Sequence, residues 1–178
     1  MKKVILLIMA IILTFTLTAC FKKDVNTGVF EQDNQTIVDE TFNEIINAIK
    51  ENDGAKIVDM FSNTVKSKVD LSNQAMRFVE YIQGDIISFS SAEESGIAAD
   101  YATENGKTRK EITADLSINT SITTYYVAIK ECVKDDFDNN NIGVTSLYII
   151  DSNNWTQDYA YRGDGNWSQG INIAETFD

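Results

Sequence analysis

Few side chains in this 178-residue chain combine the type and the spacing that chemistry needs. Glu131 breaks an apolar alternation of Tyr125, Val127, Ile129 and Val133 in a stretch that reads as a strand. If that alternation faces an interior, the carboxyl leaves water, its pKa rises, and it can give or take a proton. Tyr81, Tyr126 and Tyr148 are the aromatic side chains expected to line the same space. Acid–base work also wants a second polar group, and Asp115 alternates onto the face opposite the apolar residues. The plainer alternative places Glu131 at a rim in water with the aromatics in the core. It is preferred, because a charged side chain is seldom buried alone.

Asp136-x-Asp138-x-Asn140 matches the first three ligand positions of a calcium loop. The match then fails, with Asn141 where glycine is needed and Leu147 where a bidentate Glu closes the site. A polar turn between strands needs the same residue types for its backbone, and that reading is favoured over a metal site. The chain has no histidine, which excludes a Ser-His-Asp triad and a histidine-ligated zinc. Without a base beside it, Cys132 reads as a small buried hydrophobe. No cofactor is implied.

Cys20 carries the most specific signal. Lys2 and Lys3 precede a 14-residue apolar run, Val4–Leu17, shorter than a bilayer span of about 18–20 residues. Leu17-Thr18-Ala19-Cys20 then resembles a bacterial lipobox. That resemblance implies a signal peptide over residues 1–19, cleavage before Cys20, and a diacylglyceryl anchor on its thiol. The expected location is the outer face of the cell membrane, with the lipid bilayer as a partner. Two acyl chains hold where one does not, at about 0.8 kcal/mol per buried CH₂. Losing residues 1–19 removes two lysines and no acid, leaving 27 acidic and 13 basic side chains, net −14. Such a domain is repelled by anionic lipid and by nucleic acid.

These groups must be positioned by the elements that follow. Residues 20–35 are polar and aperiodic, a tether of about 20–25 Å by linker statistics. Thr36 with Asp39 marks a helix start, and Val38, Phe42, Ile45, Ile46 and Ile49 recur at helical spacing. Asp53 opens a second helix, and Asp70 or Ser72 a third, whose stripe is Leu71, Ala75, Phe78, Val79 and Ile82. The period then shifts to two. A long strand breaks near residues 93–96, Asn105-Gly106 is a hairpin turn, and strands follow around 112–118, 125–133 and 143–150. The expected fold is α+β, with three N-terminal helices on a curved antiparallel sheet of about four strands over residues 36–151. Residues 152–178 form a tail with Trp155 and Trp167, read as a strap on the sheet in preference to an exposed binding surface.

Helices followed by a bent meander resemble the cystatin-like cone of nuclear-transport-factor-2-like proteins. More narrowly, the chain resembles a small family of Gram-positive lipoproteins known only as a domain of unknown function. The residues that carry this are Val38–Lys50, Val79-Glu80-Tyr81-Ile82-Gln83-Gly84, Gly163-Asp164-Gly165-Asn166-Trp167 and Gly170-Ile171-Asn172-Ile173. The family brings no catalytic residues to carry over, and fold alone does not decide function. Three functions are compatible with these features. The first, and preferred, is a non-catalytic module binding an unidentified protein or small-molecule ligand. The others are a small hydrolase or isomerase using Glu131, and a structural subunit of an envelope complex.

Overall fold

The computed structural model describes residues 27–94, 96–154 and 166–174. Contacts divide the chain into Met1–Gln32 and Asp33–Asp178. Apart from the helical backbone of residues 27–32, everything described belongs to the second unit.

Helix α1 spans Thr27–Glu51, and its Val38, Phe42, Ile45, Ile46 and Ala48 are buried as the helical spacing requires. It begins ahead of the expected start at Thr36, so the tether expected over residues 20–35 is helical from Thr27 onward. Extending a helix that downstream packing has already nucleated costs little per residue. Asp39 does not cap its own helix. Its Oδ1 accepts the Ala92 N–H at 2.7 Å, holding the 3₁₀ turn Ala92–Glu94.

Helix α2, Gly54–Met60, is capped by Asp53, whose Oδ1 accepts from the N–H groups of Ala55 and Lys56. The one-turn helix α3, Asn63–Lys66, follows, with Ser62 as its cap. Helix α4, Leu71–Tyr81, is capped by Asp70 and buries Leu71, Ala75, Phe78 and Val79.

Among the described residues the sheet has six strands, not four: β1 Ile86–Phe89, β2 Gly96–Glu104, β3 Lys107–Thr120, β4 Thr124–Asp135, β5 Gly143–Asp151 and β6 Gly170–Ile173. Two differences from the expected sheet account for the count. The expected long strand is two strands, β1 and β2, separated by the 3₁₀ turn and both paired with β3. The tail contributes β6, which lies parallel to β5 and makes the sheet mixed. The strand order is β1-β3-β4-β5-β6, with β2 beside β3. The Asn105-Gly106 turn has positive φ at both residues, 51° and 78°, as a two-residue hairpin requires.

One face of the sheet packs on the helices. Ile112, Ala114, Leu116 and Ile118 of β3, Tyr125, Val127 and Ile129 of β4, and Val144, Leu147 and Ile149 of β5 form one core with α1, α2 and α4. Strand β5 is buried on both faces, which explains its nearly continuous apolar run.

At Gly143 the backbone of β5 runs close against the α2–α3 link. Its φ is +122°, and a Cβ there would meet Met60 O and Ser62 N, each at 2.9 Å. Ser62 N–H donates to Val144 O at 3.0 Å, joining the α2–α3 link to the start of β5. Gly143→Ala should cost on the order of 3 kcal/mol in urea unfolding, from backbone strain plus a clash with atoms that cannot move aside. Gly106→Ala, where nothing lies within 4 Å of the new carbon, should cost only about 1–2 kcal/mol of strain.

Candidate functional site

Glu131 sits on the helix-facing side of β4, in register with Ile112 of β3 and Val144 of β5. A bulge flanks it in each pairing. Val133 is the extra residue against β3, and Thr145 the extra residue against β4. Bulges re-aim side chains. Here they set a carboxyl at the end of an apolar row. The side chain is half-buried, and Oε2 accepts a hydrogen bond from Thr41 Oγ1 of α1 at 2.8 Å. Burial pushes the Glu131 carboxyl above its ordinary range; the Thr41 hydroxyl opposes this, and the nearby charge of Glu44 adds to it.

Glu44 also stands on an open cleft of about 390 Å³ between α1 and α2, together with Asn47, Lys56, Asp59 and Met60. Glu131 is not among the lining residues. Lys56, the cleft's cation, pairs with Glu51. The carboxyl with the raised pKa and the cleft that could admit a ligand are therefore neighbours with separate walls.

The three tyrosines do not converge on Glu131. Tyr81 packs edge-on against Tyr125, with ring centroids 5.6 Å apart, donates to Ala174 O and accepts from Asp151 N–H. Tyr126 and Tyr148 lie on the opposite face of the sheet, because both are out of phase with the core-facing residues of their strands. Tyr148 is buried beneath Trp167, with ring centroids 5.9 Å apart and its hydroxyl accepting from Ser168 N–H at 2.7 Å. Ser146 Oγ bridges the carbonyls of Trp167 and Ser168, which holds Trp167 in a left-handed backbone conformation at φ 54°. Trp155 lies outside the described residues, as does Cys20.

The loop after β4 uses its oxygens internally. Asp135 accepts from Phe137 N–H, Asp138 N–H and Asn141 Nδ2, and the Asn141 bond chiefly holds its carboxyl below the ordinary range. Asp136 accepts from Thr108 N–H and pairs with Lys134, and both lower its pKa. Asp138 accepts from the N–H and side-chain amide of Asn140. These are the bonds of a strand-to-strand turn, and among the described residues no three His, Cys, Asp or Glu side chains cluster to hold a metal ion. Cys132 is fully buried. Burial pushes its thiol up, against the pull of Arg109, so the thiolate that a nucleophile needs is disfavoured.

The sequence reading missed Thr41. Its one signal was a hydroxyl on the apolar stripe of α1, beside Phe42 and one turn before Ile45. It also missed Lys110, a buried lysine on the helix-facing side of β3 that pairs with Asp33 at 3.4 Å.

The Glu131–Thr41 pair makes a directional prediction. A folded state that holds the proton more tightly than the unfolded chain loses stability as pH rises from the ordinary value of 4.5 through the raised pKa, and then levels. Glu131→Gln keeps an acceptor for Thr41 and removes the charge. It should be at least as stable as wild type to urea at neutral pH, and the difference should vanish below about pH 4. Thr41→Val strands the carboxylate and should cost about 1–3 kcal/mol at neutral pH. A gap between wild type and Glu131→Gln that does not change with pH would show that this carboxyl is not the desolvated group.

A search of curated proteins finds no match. The family model described as "Domain of unknown function (DUF5104)" matches residues 44–152, from the second half of α1 through β5 and the whole α2–α4 and β1–β4 region between. The matched segment includes Glu131, Glu44 and the cleft, and leaves out Thr41 and the tail. The chain belongs to this family, the domain of unknown function DUF5104.

Proposed function

We propose that the chain is a lipoprotein held at the outer face of the cell membrane by acyl chains on Cys20, and that its globular unit is a non-catalytic binding module. The anchoring half is supported by Lys2 and Lys3, the short apolar run Val4–Leu17, and Leu17-Thr18-Ala19-Cys20. Among the described residues no helix is long and apolar enough to cross a membrane.

One observation carries the non-catalytic half. Among the described residues Glu131 is the one carboxyl whose environment suits proton transfer; it is bonded to Thr41 and stands outside the wall of the adjoining cleft. A general acid or base must reach the proton it moves, within hydrogen-bond distance or through one water. Glu131 acts instead as a tie between α1 and the sheet. The order of helices before strands fits the cystatin-like cone, a fold that serves binding as readily as catalysis.

Membrane fractionation of cells making the wild-type chain should place it with the membranes. Cys20→Ala should move it to the soluble fraction or the medium, with an unchanged urea midpoint. Retention of the variant on membranes would overturn the anchoring.

A further inference from the structure

Among the described residues the sheet has three outer strands, β1, β2 and β6. Strand β1 is four residues long and irregular, with a register shift between Ile86 and Ser88. Strand β6 is covered, because Gln74 Oε1 of α4 accepts the Ile171 N–H and the side chains of Val69 and Leu71 crowd Gly170. Both devices are usual protections of a sheet edge.

Strand β2 has neither. Its nine residues pair with β3 in unbroken register from Gly96↔Asp115 to Glu104↔Lys107, and among the described residues nothing pairs with its other side. Only Ile97 and Ala99 are even partly buried. The strand contains no lysine and no bulge, and the whole chain contains no proline. The two-residue turn makes Glu104↔Lys107 a hydrogen-bonded pair, so by alternation Ile97, Ala99, Tyr101 and Thr103 aim their N–H and C=O groups away from β3.

Charge selects the occupant. Asp100 and Glu104 are the only charged residues of β2, and both project from the face away from the helices, flanked by the small Ala98 and Ala102. Among the described residues neither has an ion-pair partner, whereas Glu111, across from Asp100, is already held by Arg109 and Lys130. A second copy would set acid against acid in a chain of net charge −12. We propose that the β2 edge is a docking site for an extended segment of a basic partner protein. That segment adds as a seventh strand, with Lys or Arg at alternate positions beside Asp100 and Glu104. The proposal deepens the binding-module reading and rests on it.

The test is amide hydrogen exchange on the ¹⁵N-labelled full chain in detergent micelles, with an alternating Lys–Val nonapeptide as probe. At saturating peptide the Ile97, Ala99 and Thr103 amides should exchange at least about tenfold more slowly, as ladder bonding protects them. An alternating Glu–Val peptide should give no protection, and the double variant Asp100→Lys, Glu104→Lys should reverse that preference. Ala99→Pro removes an outward N–H and should abolish protection, while the Ala114 and Ile129 amides stay slow and report an intact sheet. No protection at the β2 edge, equal protection by both peptides, or a dimer formed through β2 without peptide would each overturn the docking site. Protection at the exposed Ile87 and Ile122 instead would also overturn it, while leaving the binding-module reading in place. That wider reading falls on a separate result, an enzymatic activity abolished by Glu131→Gln.

Discussion

The strand Lys107–Thr120 hydrogen-bonds to β1 and β2 along one side and to β4 along the other, so three strands take their register from it. Its helix-facing row, Ile112, Ala114, Leu116 and Ile118, is buried, while Asp115 of the alternate row is exposed and Glu111 and Ser117 are partly so. A slip of one residue would exchange the two rows. Each large aliphatic side chain is worth about 1.5–3 kcal/mol when buried. Turning three of them outward, with Glu111 and Asp115 brought inward, would consume a margin that is only about 5–15 kcal/mol for a whole domain. Local devices enforce the register. The Asn105-Gly106 turn fixes β2 to β3, and the bulge at Val133 re-phases β4 where it approaches the charged end of the sheet.

That re-phasing explains how one strand carries both a core and a polar terminus. Up to Ile129 the core-facing residues of β4 are apolar. Glu131 keeps the same phase but meets a hydroxyl instead of a methyl group, and beyond it Cys132 and Asp135 are buried against Arg109 and the following loop. A half-buried carboxyl on an apolar row costs desolvation, and one hydrogen bond offsets part of it. The bond is directional where the surrounding contacts are not. Aliphatic side chains of similar volume can repack at small cost, so apolar contact alone leaves the sliding of α1 along the sheet weakly specified. Thr41 and Glu131 meet in one position only. With Asp39 holding Ala92 and Asp33 paired with Lys110 of β3, α1 is fixed by three polar ties that its hydrophobic stripe does not supply.

The elements legible in the sequence were those whose signal is local. The helical stripes of α1 and α4, the caps at Asp53 and Asp70, and the Asn105-Gly106 turn each depend on residues a few positions apart, and each formed as read. The misread features depend on partners far along the chain. Thr36 and Asp39 have the spacing of a helix start, but Asp39 is taken by Ala92, fifty-three positions away, and α1 continues past Thr36 toward its N-terminus. Gly170–Ile173 is too short to read as a strand, and it becomes one because β5 offers it an edge and α4 a cap. The tyrosines were grouped by kind, whereas parity along β4 and β5 places Tyr126 and Tyr148 opposite Glu131. Thr41 was hidden because a threonine within an apolar stripe gives no sign of its partner.

The contrast among the sheet's outer strands follows from the same long-range economy. Closing the edge at β6 requires α4, whose Gln74 satisfies the Ile171 N–H and whose other face belongs to the core. Helix α1 is committed to Glu131 and Ala92, and α2 and α3 to the start of β5 through Phe61 and Ser62. No described helix remains to cover β2. Acidic side chains are then the least costly means of keeping such an edge from pairing with its own copy, since repulsion needs no added element. For a domain tethered at high local density on a membrane, as proposed, that protection would be tested continually. The same charges discriminate by sign, because what repels another acidic chain attracts a basic one. An edge protected by charge alone is therefore closed to self and open to a complementary partner, a selectivity that neither a bulge nor a covering helix would permit.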